Sequence, residues 1–286
     1  MNVKKTMTKL TIFTAYNQTK KILKAAGIED YSCDARYILR HVTGLSNAQI
    51  LTKYNEELTP LQQTVLNNMV NRRAKRYPLQ YILGVWQFYG LDFLVGEGVL
   101  VPRADTEVLV ETCLELLEDK PSKKVLDLCA GSGCIGIAIA KNSDTDVICL
   151  EKYDEAYEYL QKNAKKHENC VKTVKADVFT FNTEEKFDLI VSNPPYISEE
   201  ELALMNKETE FEPREALFAE ENGLIFYKKI IRDYKQFLNH GGILAFEIGF
   251  SEGAAVKALM LEAGYKNVTC RNDFGGNERV VFGTVD

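Results

Sequence analysis

A short motif at residues 192–196 has the residue types needed to hold a planar NH₂ group. The motif reads Ser192-Asn193-Pro194-Pro195-Tyr196 and follows an apolar run at 187–191. The side-chain carbonyl of Asn193 and the backbone carbonyl of Pro194 can accept both hydrogens of one NH₂ group. The ring of Tyr196 offers a face on which a planar amide or base can stack. Residues 193 to 196 are therefore the candidate catalytic residues; the alternative is a rigid turn that ends a strand.

These residue types favour transfer of a methyl group to a planar nitrogen. An amide nitrogen is a poor nucleophile because its lone pair is delocalised, so alignment with the methyl donor is the main means of catalysis. Two fixed acceptors also stabilise the positive charge that develops on nitrogen. The motif contains no obvious general base, and none is needed, since the proton becomes acidic once the methyl group has transferred.

A glycine loop precedes this motif in the chain. Residues 125–136 read VLDLCAGSGCIG, in which Gly131, Gly133 and Gly136 form the pattern G-x-G-x-x-G. A strand, a glycine turn and a helix start in this order are typical of a nucleotide or nucleoside cofactor site at a helix N-terminus. A tight turn without any ligand is the alternative interpretation.

The acid before the loop separates two possible cofactors. A dinucleotide would place its pyrophosphate at the helix N-terminus, where a nearby acid is unfavourable. Asp127 instead suits an ammonium group, such as the one in the methionine part of S-adenosylmethionine (AdoMet). AdoMet is therefore the predicted cofactor and NAD the weaker alternative, although Asp127 could also cap the backbone amides of its own loop.

Two further acids extend the predicted cofactor site. Glu151 ends the next strand, about 20 residues past the loop, where an acid can accept hydrogen bonds from ribose hydroxyls. Asp177 could accept from the adenine amino group with Val178 against the ring; a solvated strand end and a solvated turn are the alternatives for these positions. With only 3 histidines, no metal site is predicted. The predicted cofactor-binding residues are Asp127, Cys129, Ala130, Gly131, Ser132, Gly133, Glu151, Asp177, Val178 and Asn193.

The surrounding elements predict two domains and a linker. Residues 1–84 read as a small helical bundle, with Thr59-Pro60 as an N-cap followed by proline at the first helical position. Residues 85–103 are rich in β-formers and predict a β-hairpin linker with its turn at 96–98. Residues 104–286 alternate between strand and helix, which indicates an α/β, Rossmann-like fold with a mostly parallel sheet and helices on both faces.

Together these segments resemble the HemK/PrmC family of release-factor glutamine-N5 methyltransferases over nearly the full length. The motif Asn-Pro-Pro-Tyr alone is shared with adenine-N6 DNA methyltransferases and some RNA enzymes. Its combination with a helical N-terminal domain and a Pro-Arg-x-Asp-Thr-Glu segment is more selective. The matching segments are 78–84 (PLQYILG), 101–107 (VPRADTE), 127–133, 193–196, 211–214 (FEPR) and 277–280 (NERV). Two departures are Ala104, where the family commonly has proline, and Cys129-Ala130, where its loop often reads Gly-Thr.

The resemblance implies a seven-stranded AdoMet-dependent methyltransferase domain joined to a helical domain that helps to recognise release factors. It implies that the substrate is the glutamine of their Gly-Gly-Gln motif and that residues 193–196 hold it. Cys129 to Gly133, Glu151, Val178 and Asn193 would contact AdoMet. Arg103 and Glu107 could line the pocket or form a surface ion pair.

Composition limits the other function classes. The 286 residues are 45% hydrophobic with a net charge of −6, which lacks the basic footprint of a general duplex-DNA binder. A nucleic-acid amine methyltransferase and a non-catalytic AdoMet-binding module are the alternatives. The N-terminus shows no signal peptide, no segment is long and apolar enough for a membrane, and 7 scattered cysteines suit a reducing compartment. We therefore expect a cytoplasmic protein with no membrane partner and no direct nucleic-acid partner.

Overall fold

The computed structural model describes residues 10–118, 120 and 123–286. The chain divides into two compact units, Met1–Gly84 and Val85–Asp286. The N-terminal segment, for which no signal peptide was predicted, lies outside the described residues. Among the helices that are described, none is long and apolar enough to cross a membrane.

The first unit is helical. It contains α1 (Ile12–Ala25), α2 (Tyr31–Thr43), α3 (Asn47–Thr52), α4 (Pro60–Ala74) and α5 (Leu79–Leu83). The Thr59 hydroxyl accepts a hydrogen bond from the Gln62 backbone amide, and the Gln62 Oε1 atom accepts one from the Thr59 backbone amide, so α4 starts with a capping box. α2 ends at Gly44, whose φ of 69° gives the left-handed cap that favours glycine. Local sequence signals thus set where these helices begin and end.

The second unit starts with a hairpin that is shorter than predicted. Its strands are β1 (Val85–Phe88) and β2 (Leu91–Leu94). The turn lies at Tyr89 and Gly90, with φ values of 48° and 74°, and not at 96–98 as the sequence suggested. Positive φ at both residues matches the hairpin turns whose twist suits the flanking strands. A turn does lie at 97–98, but the prediction that it joins the strands of the hairpin was wrong, because the buried apolar residues Val95 and Val99 beside it pack against Ala156 and form no strand pair.

A seven-stranded sheet forms the centre of this unit. The strands are β3 (Lys124–Leu128), β4 (Asp146–Glu151), β5 (Lys172–Lys175), β6 (Phe187–Ser192), β7 (Leu238–Glu247), β8 (Lys266–Asn272) and β9 (Glu278–Thr284). Their order is β5-β4-β3-β6-β7-β9-β8, and β9 alone is antiparallel to its neighbours. The predicted α/β fold with a mostly parallel sheet is confirmed.

Helices cover both faces of the sheet. They are α6 (Glu107–Leu117), α7 (Cys134–Asn142), α8 (Asp154–Lys166), α9 (Glu199–Leu202), α10 (Ile225–Asp233) and α11 (Gly253–Glu262). Consecutive residues of β3 belong to hydrophobic cores on opposite faces of the sheet. Val125 packs with α6, α7 and α8, whereas Leu126 packs with α10 and α11. From β3 the chain continues to β4 and β5 on one side of the sheet and then returns to β6 on the other side of β3. The strand order therefore reverses beside β3. A crevice at the carboxyl ends of the strands is expected at such a point.

Candidate functional site

A cleft opens at the carboxyl ends of β3, β4 and β6, where the strand order reverses. Its empty space, including the part that is open to solvent, is about 950 Å³. Nine of the residues predicted from the sequence line it: Cys129, Ala130, Gly131, Ser132, Glu151, Asp177, Val178, Asn193 and Pro195. Four others do not line it, namely Asp127, Gly133, Pro194 and Tyr196. The glycine loop and the Asn193 motif therefore face one cavity.

The glycine loop turns sharply from β3 into α7. Gly133 has a φ of 79°, and a Cβ atom there would lie 2.5 Å from the Cδ1 atom of Leu160. A Cβ atom at Gly136 would lie 2.4 Å from the Cys149 sulfur, so this glycine allows α7 to pack on β4. Cys129 adopts a φ of 58°, a conformation that favours glycine, at a position where the family often has glycine.

Asp127 is fully buried at the base of the loop. Its Oδ2 atom accepts a hydrogen bond of 2.9 Å from the Gly136 amide, so one oxygen does cap the backbone. Its Oδ1 atom has no hydrogen-bond partner within the described ranges. Burial raises the pKa of Asp127 to about 7. A contact between Asp127 and an ammonium group stays a prediction, and Oδ1 is the atom that could make it.

Glu151 links the loop to the end of β4. Its Oε2 atom accepts from the Gly131 amide at 2.9 Å, and its Oε1 atom accepts from the amides of Lys152 and Tyr153 at 2.7 and 2.9 Å. Burial nevertheless raises the pKa of Glu151. A carboxylate has about four acceptor positions, and the backbone uses three of them here. The predicted ribose contact is therefore limited to the remaining position.

Asp177 and Val178 form another part of the wall. The Asp177 Oδ1 atom accepts from the Phe179 amide at 2.9 Å, and its Oδ2 atom lies 3.0 Å from the Lys152 ammonium. Val178 is buried, and Phe226 lines the same cavity. An acid beside an apolar surface is the arrangement needed to bind a flat, amino-substituted ring.

The Asn193 motif leaves the end of β6 and reaches this cleft. Within the described ranges, neither the Asn193 Oδ1 atom nor the Pro194 carbonyl accepts a hydrogen bond. The Asn193 amide group donates to the Thr106 hydroxyl at 3.4 Å. The Tyr196 hydroxyl donates to the Glu247 Oε1 atom at 3.4 Å. Burial raises the pKa of Tyr196, so its phenol stays protonated. The motif thus has two unused carbonyl acceptors, and of the two residues that carry them Asn193 lines the cleft.

Several residues of the cleft were not predicted from the sequence. They include Leu100, Pro102, Thr106, Tyr153, Pro213 and Phe226. The sequence left open whether Arg103 and Glu107 line the pocket or form an ion pair. Arg103 lines the cleft and also forms an ion pair with Glu212 at 2.6 Å. Glu107 does neither; its Oε1 atom accepts from the Tyr89 amide at 2.7 Å and holds the hairpin turn. Segments 101–107 and 211–214 stood out as family motifs, and that was the signal that could have identified Pro102, Thr106 and Pro213.

Comparison with known proteins agrees with the two-unit division. The PrmC N-terminal domain family matches residues 14–84, and the methyltransferase small domain family matches residues 104–211. The release factor glutamine methyltransferase of Clostridium botulinum is 40% identical over 266 residues, which cover 91% of this chain and 94% of that protein. The protein of the same name from Geobacter sulfurreducens is 37% identical, covering 96% of this chain and 97% of its own.

Solved structures are similar at the level of the fold. A methyltransferase from Pyrococcus furiosus aligns with a TM-score of 0.52 at 19% identity, covering 78% of this chain and 96% of that one. The catalytic domain of human Mettl16, solved with an RNA hairpin, aligns with a TM-score of 0.58 at 17% identity, covering 79% and 82%. These structural matches show the fold, whereas the sequence relatives show the family. The chain belongs to the release factor glutamine methyltransferase family.

Proposed function

We propose that this chain transfers a methyl group from AdoMet to the side-chain amide nitrogen (N5) of a glutamine in peptide chain release factors. The observation that carries this proposal is the position of Asn193, which faces the same cleft as the glycine loop and keeps its Oδ1 atom free. The target glutamine is the one in the Gly-Gly-Gln motif. The family relatives, whose names give release factors as substrates, support the assignment.

The cleft fits AdoMet in its hydrogen-bond acceptors and its apolar surfaces. Asp177 and Val178 would hold the adenine ring, and the remaining acceptor position of Glu151 would hold a ribose hydroxyl. The loop at 129–133 would follow the methionine part, and the Asp127 Oδ1 atom, which has no hydrogen-bond partner among the described residues, would accept from its ammonium group. When bound, AdoMet supplies an electrophilic methyl group on a sulfonium.

The chain's own residues orient the substrate amide. The Asn193 Oδ1 atom and the Pro194 carbonyl accept one hydrogen each, which fixes the plane of the glutamine NH₂ group. Both oxygens carry partial negative charge, so they stabilise the positive charge that develops on nitrogen. The ring of Tyr196 stacks on the amide, and its hydroxyl is held by Glu247. The product nitrogen then loses a proton that has become strongly acidic.

The helical unit has the role of recognising the release factor outside the target glutamine. The PrmC N-terminal domain match over residues 14–84 supports this role. A protein substrate also agrees with the net charge of −6, which disfavours a nucleic-acid partner.

The test is mass spectrometry of a release factor incubated with the full chain and AdoMet. We expect one added methyl group on the glutamine of the Gly-Gly-Gln motif. A release factor with alanine at that glutamine is the control and should gain no methyl group. Duplex DNA and structured RNA serve as competing substrates in parallel reactions. Methylation of nucleic acid without methylation of the release factor would overturn the proposal.

A further inference from the structure

The chain from Asp92 to Gly98 lies along α8 and has no role in the function described so far. In this segment, 92–98, every second residue meets every fourth residue of α8 or of the position that follows the helix. The pairs are Asp92 with His167, Leu94 with Asn163, Gly96 with Tyr159 and Gly98 with Glu155. Two residues of a strand span about 6.6 Å and four residues of a helix span about 6.0 Å, so contacts that start in β2 can repeat along α8. The segment therefore runs antiparallel to one face of the helix.

Two glycines allow the segment to approach α8 closely. A Cβ atom on Gly96 would overlap the hydroxyl oxygen of Tyr159, and one on Gly98 would overlap the Cβ atom of Glu155. Gly98 also lines the cleft, as do residues 100–103 directly after it. The segment that is held against α8 thus leads into one wall of the cleft.

The side chain of Asn163 connects this segment to the glycine loop. Asn163 is fully buried and does not itself line the cleft. Its Oδ1 atom accepts from the Leu94 amide at 2.7 Å. Its Nδ2 atom donates to the Leu94 carbonyl at 3.1 Å and to the Ser132 carbonyl at 2.9 Å. These contacts fix the orientation of the side-chain amide, since a reversed amide would place its oxygen against two carbonyl oxygens.

The Ser132 carbonyl belongs to a peptide group that is bonded on both sides. The nitrogen of that group is the Gly133 amide, which donates to the Ala130 carbonyl at 2.8 Å. Gly131 and Gly133 have φ values of 54° and 79°, and glycine leaves such a conformation as easily as it adopts it. The loop therefore depends on contacts from outside to keep one shape, and Asn163 provides such a contact.

We propose that Asn163 is a positioning residue that holds the glycine loop at a fixed distance from the segment 92–98 and thereby sets the width of the AdoMet cleft. This inference rests on the placement of AdoMet in the cleft under the proposed function. The loop at 129–132 lines the cleft on one side of Asn163, and Gly98 with residues 100–103 lines it on the other. Without the Asn163 amide the two walls can move independently, so AdoMet loses contacts to one of them.

The first test compares two substitutions that each remove a contact to the segment 92–98. Asn163→Ala also removes the hydrogen bond to Ser132, and we expect the Kd for AdoMet, from calorimetry, to rise by roughly 10- to 100-fold. His167→Phe is the control. It removes the contact of 3.1 Å between the His167 Nε2 atom and the Asp92 carbonyl, keeps an aromatic ring against Phe93, and leaves the Ser132 contact intact. Its Kd should stay close to the wild-type value.

Steady-state kinetics with the release factor distinguishes positioning from a loss of folded protein. In Asn163→Ala the KM for AdoMet should rise with the Kd, while kcat at saturating AdoMet stays close to that of the wild type. A purely structural role would lower kcat in proportion to the folded fraction and leave KM unchanged. Asn163→Ser keeps one donor for the Ser132 carbonyl, so its Kd should lie between those of the wild type and Asn163→Ala.

The second test uses the wild type alone and reads amide exchange by NMR in ¹⁵N-labelled protein. The Leu94 amide donates to Asn163, and Leu94 does not line the cleft. AdoMet at about 100 times its Kd should immobilise the loop and slow exchange at the Leu94 amide by roughly tenfold. The Tyr89 amide, which lies in the same hairpin but donates to Glu107, is the control and should change little.

The outcomes separate this inference from the proposed function. If Asn163→Ala binds AdoMet as tightly as His167→Phe does, or if AdoMet slows exchange at Leu94 no more than at Tyr89, Asn163 has no positioning role. Should Asn163→Ala fail to fold, Asn163→Ser and the exchange in the wild type still decide. If the wild type binds AdoMet but transfers no methyl group to a release factor, the proposed function is wrong, while the Kd and exchange comparisons still decide the role of Asn163.

Discussion

The guanidinium group of Arg103 lies 2.6 Å from the Oε1 atom of Glu212, although 109 residues separate them in the chain. The Glu212 side chain is only 3% exposed, whereas that of Arg103 is 40% exposed. The Glu212 Oε2 atom also accepts from the Val101 amide at 3.4 Å. The ion pair therefore ties the segment before α6 to the segment that contains Pro213, and both segments line the cleft.

The burial of Glu212 predicts an asymmetric response to substitution. Arg103→Ala leaves a buried carboxylate without its cation, and we expect it to lower the free energy of unfolding by about 1–3 kcal/mol. The double variant Arg103→Ala with Glu212→Gln removes the unpaired charge and should recover part of that loss. Urea denaturation of the four proteins in the cycle measures both values. Equal stability of the wild type and Arg103→Ala would show that the pair contributes nothing.

Asn193→Ala tests the acceptor role at the centre of the proposed reaction. The variant loses one of two acceptors for the substrate NH₂ group, and we expect kcat to fall by roughly 100- to 1,000-fold. Much of the AdoMet affinity should remain, because the glycine loop, Glu151 and Asp177 are unchanged. Single-turnover methylation and calorimetry measure the two quantities on the same preparation.

Asn206→Ala is a matched control for that variant. Asn206 is exposed and precedes the 3₁₀ turn at 207–211, where its side chain makes no capping hydrogen bond. It should methylate at the wild-type rate. A normal rate in Asn193→Ala would exclude the acceptor role, and a parallel loss of AdoMet binding would assign Asn193 to the cofactor instead.

Asp177 provides a test of the adenine contact. Asp177→Ala removes the acid that would accept from the adenine amino group, and we expect the Kd for AdoMet to rise by roughly tenfold or more. The control is Asp154→Ala, which also removes an acid paired with a lysine, Lys175, but does not line the cleft. Competition with a purine analogue that lacks the amino group should affect the wild type and Asp177→Ala differently. Identical Kd values for the two variants would remove Asp177 from the cofactor site.

The sequence predicted those features that local chemistry determines. The capping box at Thr59 and the left-handed cap at Gly44 give helix ends directly, because side chain and backbone within four residues decide them. The apolar runs of β3 and β6 predicted buried strands, since both faces of a parallel sheet are covered. The glycine loop and Asn193 lie in one cleft because they follow β3 and β6, whose carboxyl ends meet at the same edge of the sheet.

Other features depend on contacts that the sequence does not reveal. β5 (Lys172–Lys175) was missed because an edge strand can be short, charged and partly exposed. The turn at Tyr89 and Gly90 is stabilised by the distant Glu107 side chain, so no local signal was strong enough to identify it. Glu247 and Tyr196 belong to separate elements, and nothing in the sequence indicates that they are in contact.

Glu252 gives a prediction for how the stability of the protein depends on pH. Burial raises its pKa to about 7 from an ordinary value of 4.5, although the Gly249 amide and the Tyr227 hydroxyl donate to it. Between these two pH values the unfolded chain releases the proton of Glu252 while the folded chain keeps it. The unfolded state then binds fewer protons, so the free energy of unfolding decreases as the pH rises from about 4.5 to 7.

Glu252→Gln removes that titration and should make the decrease shallower. Urea midpoints measured in steps across this pH range give, for each protein, the slope of stability against pH. Asp127 and Glu247 contribute to that slope as well, since their pKa values are also raised to about 7. The difference between the slopes of the wild type and the variant isolates the contribution of Glu252. Glu220→Gln, at an exposed glutamate, is the control and should keep the wild-type slope. A variant slope as steep as that of the wild type would mean that Glu252 titrates normally in the folded protein, in spite of its burial beside Tyr227.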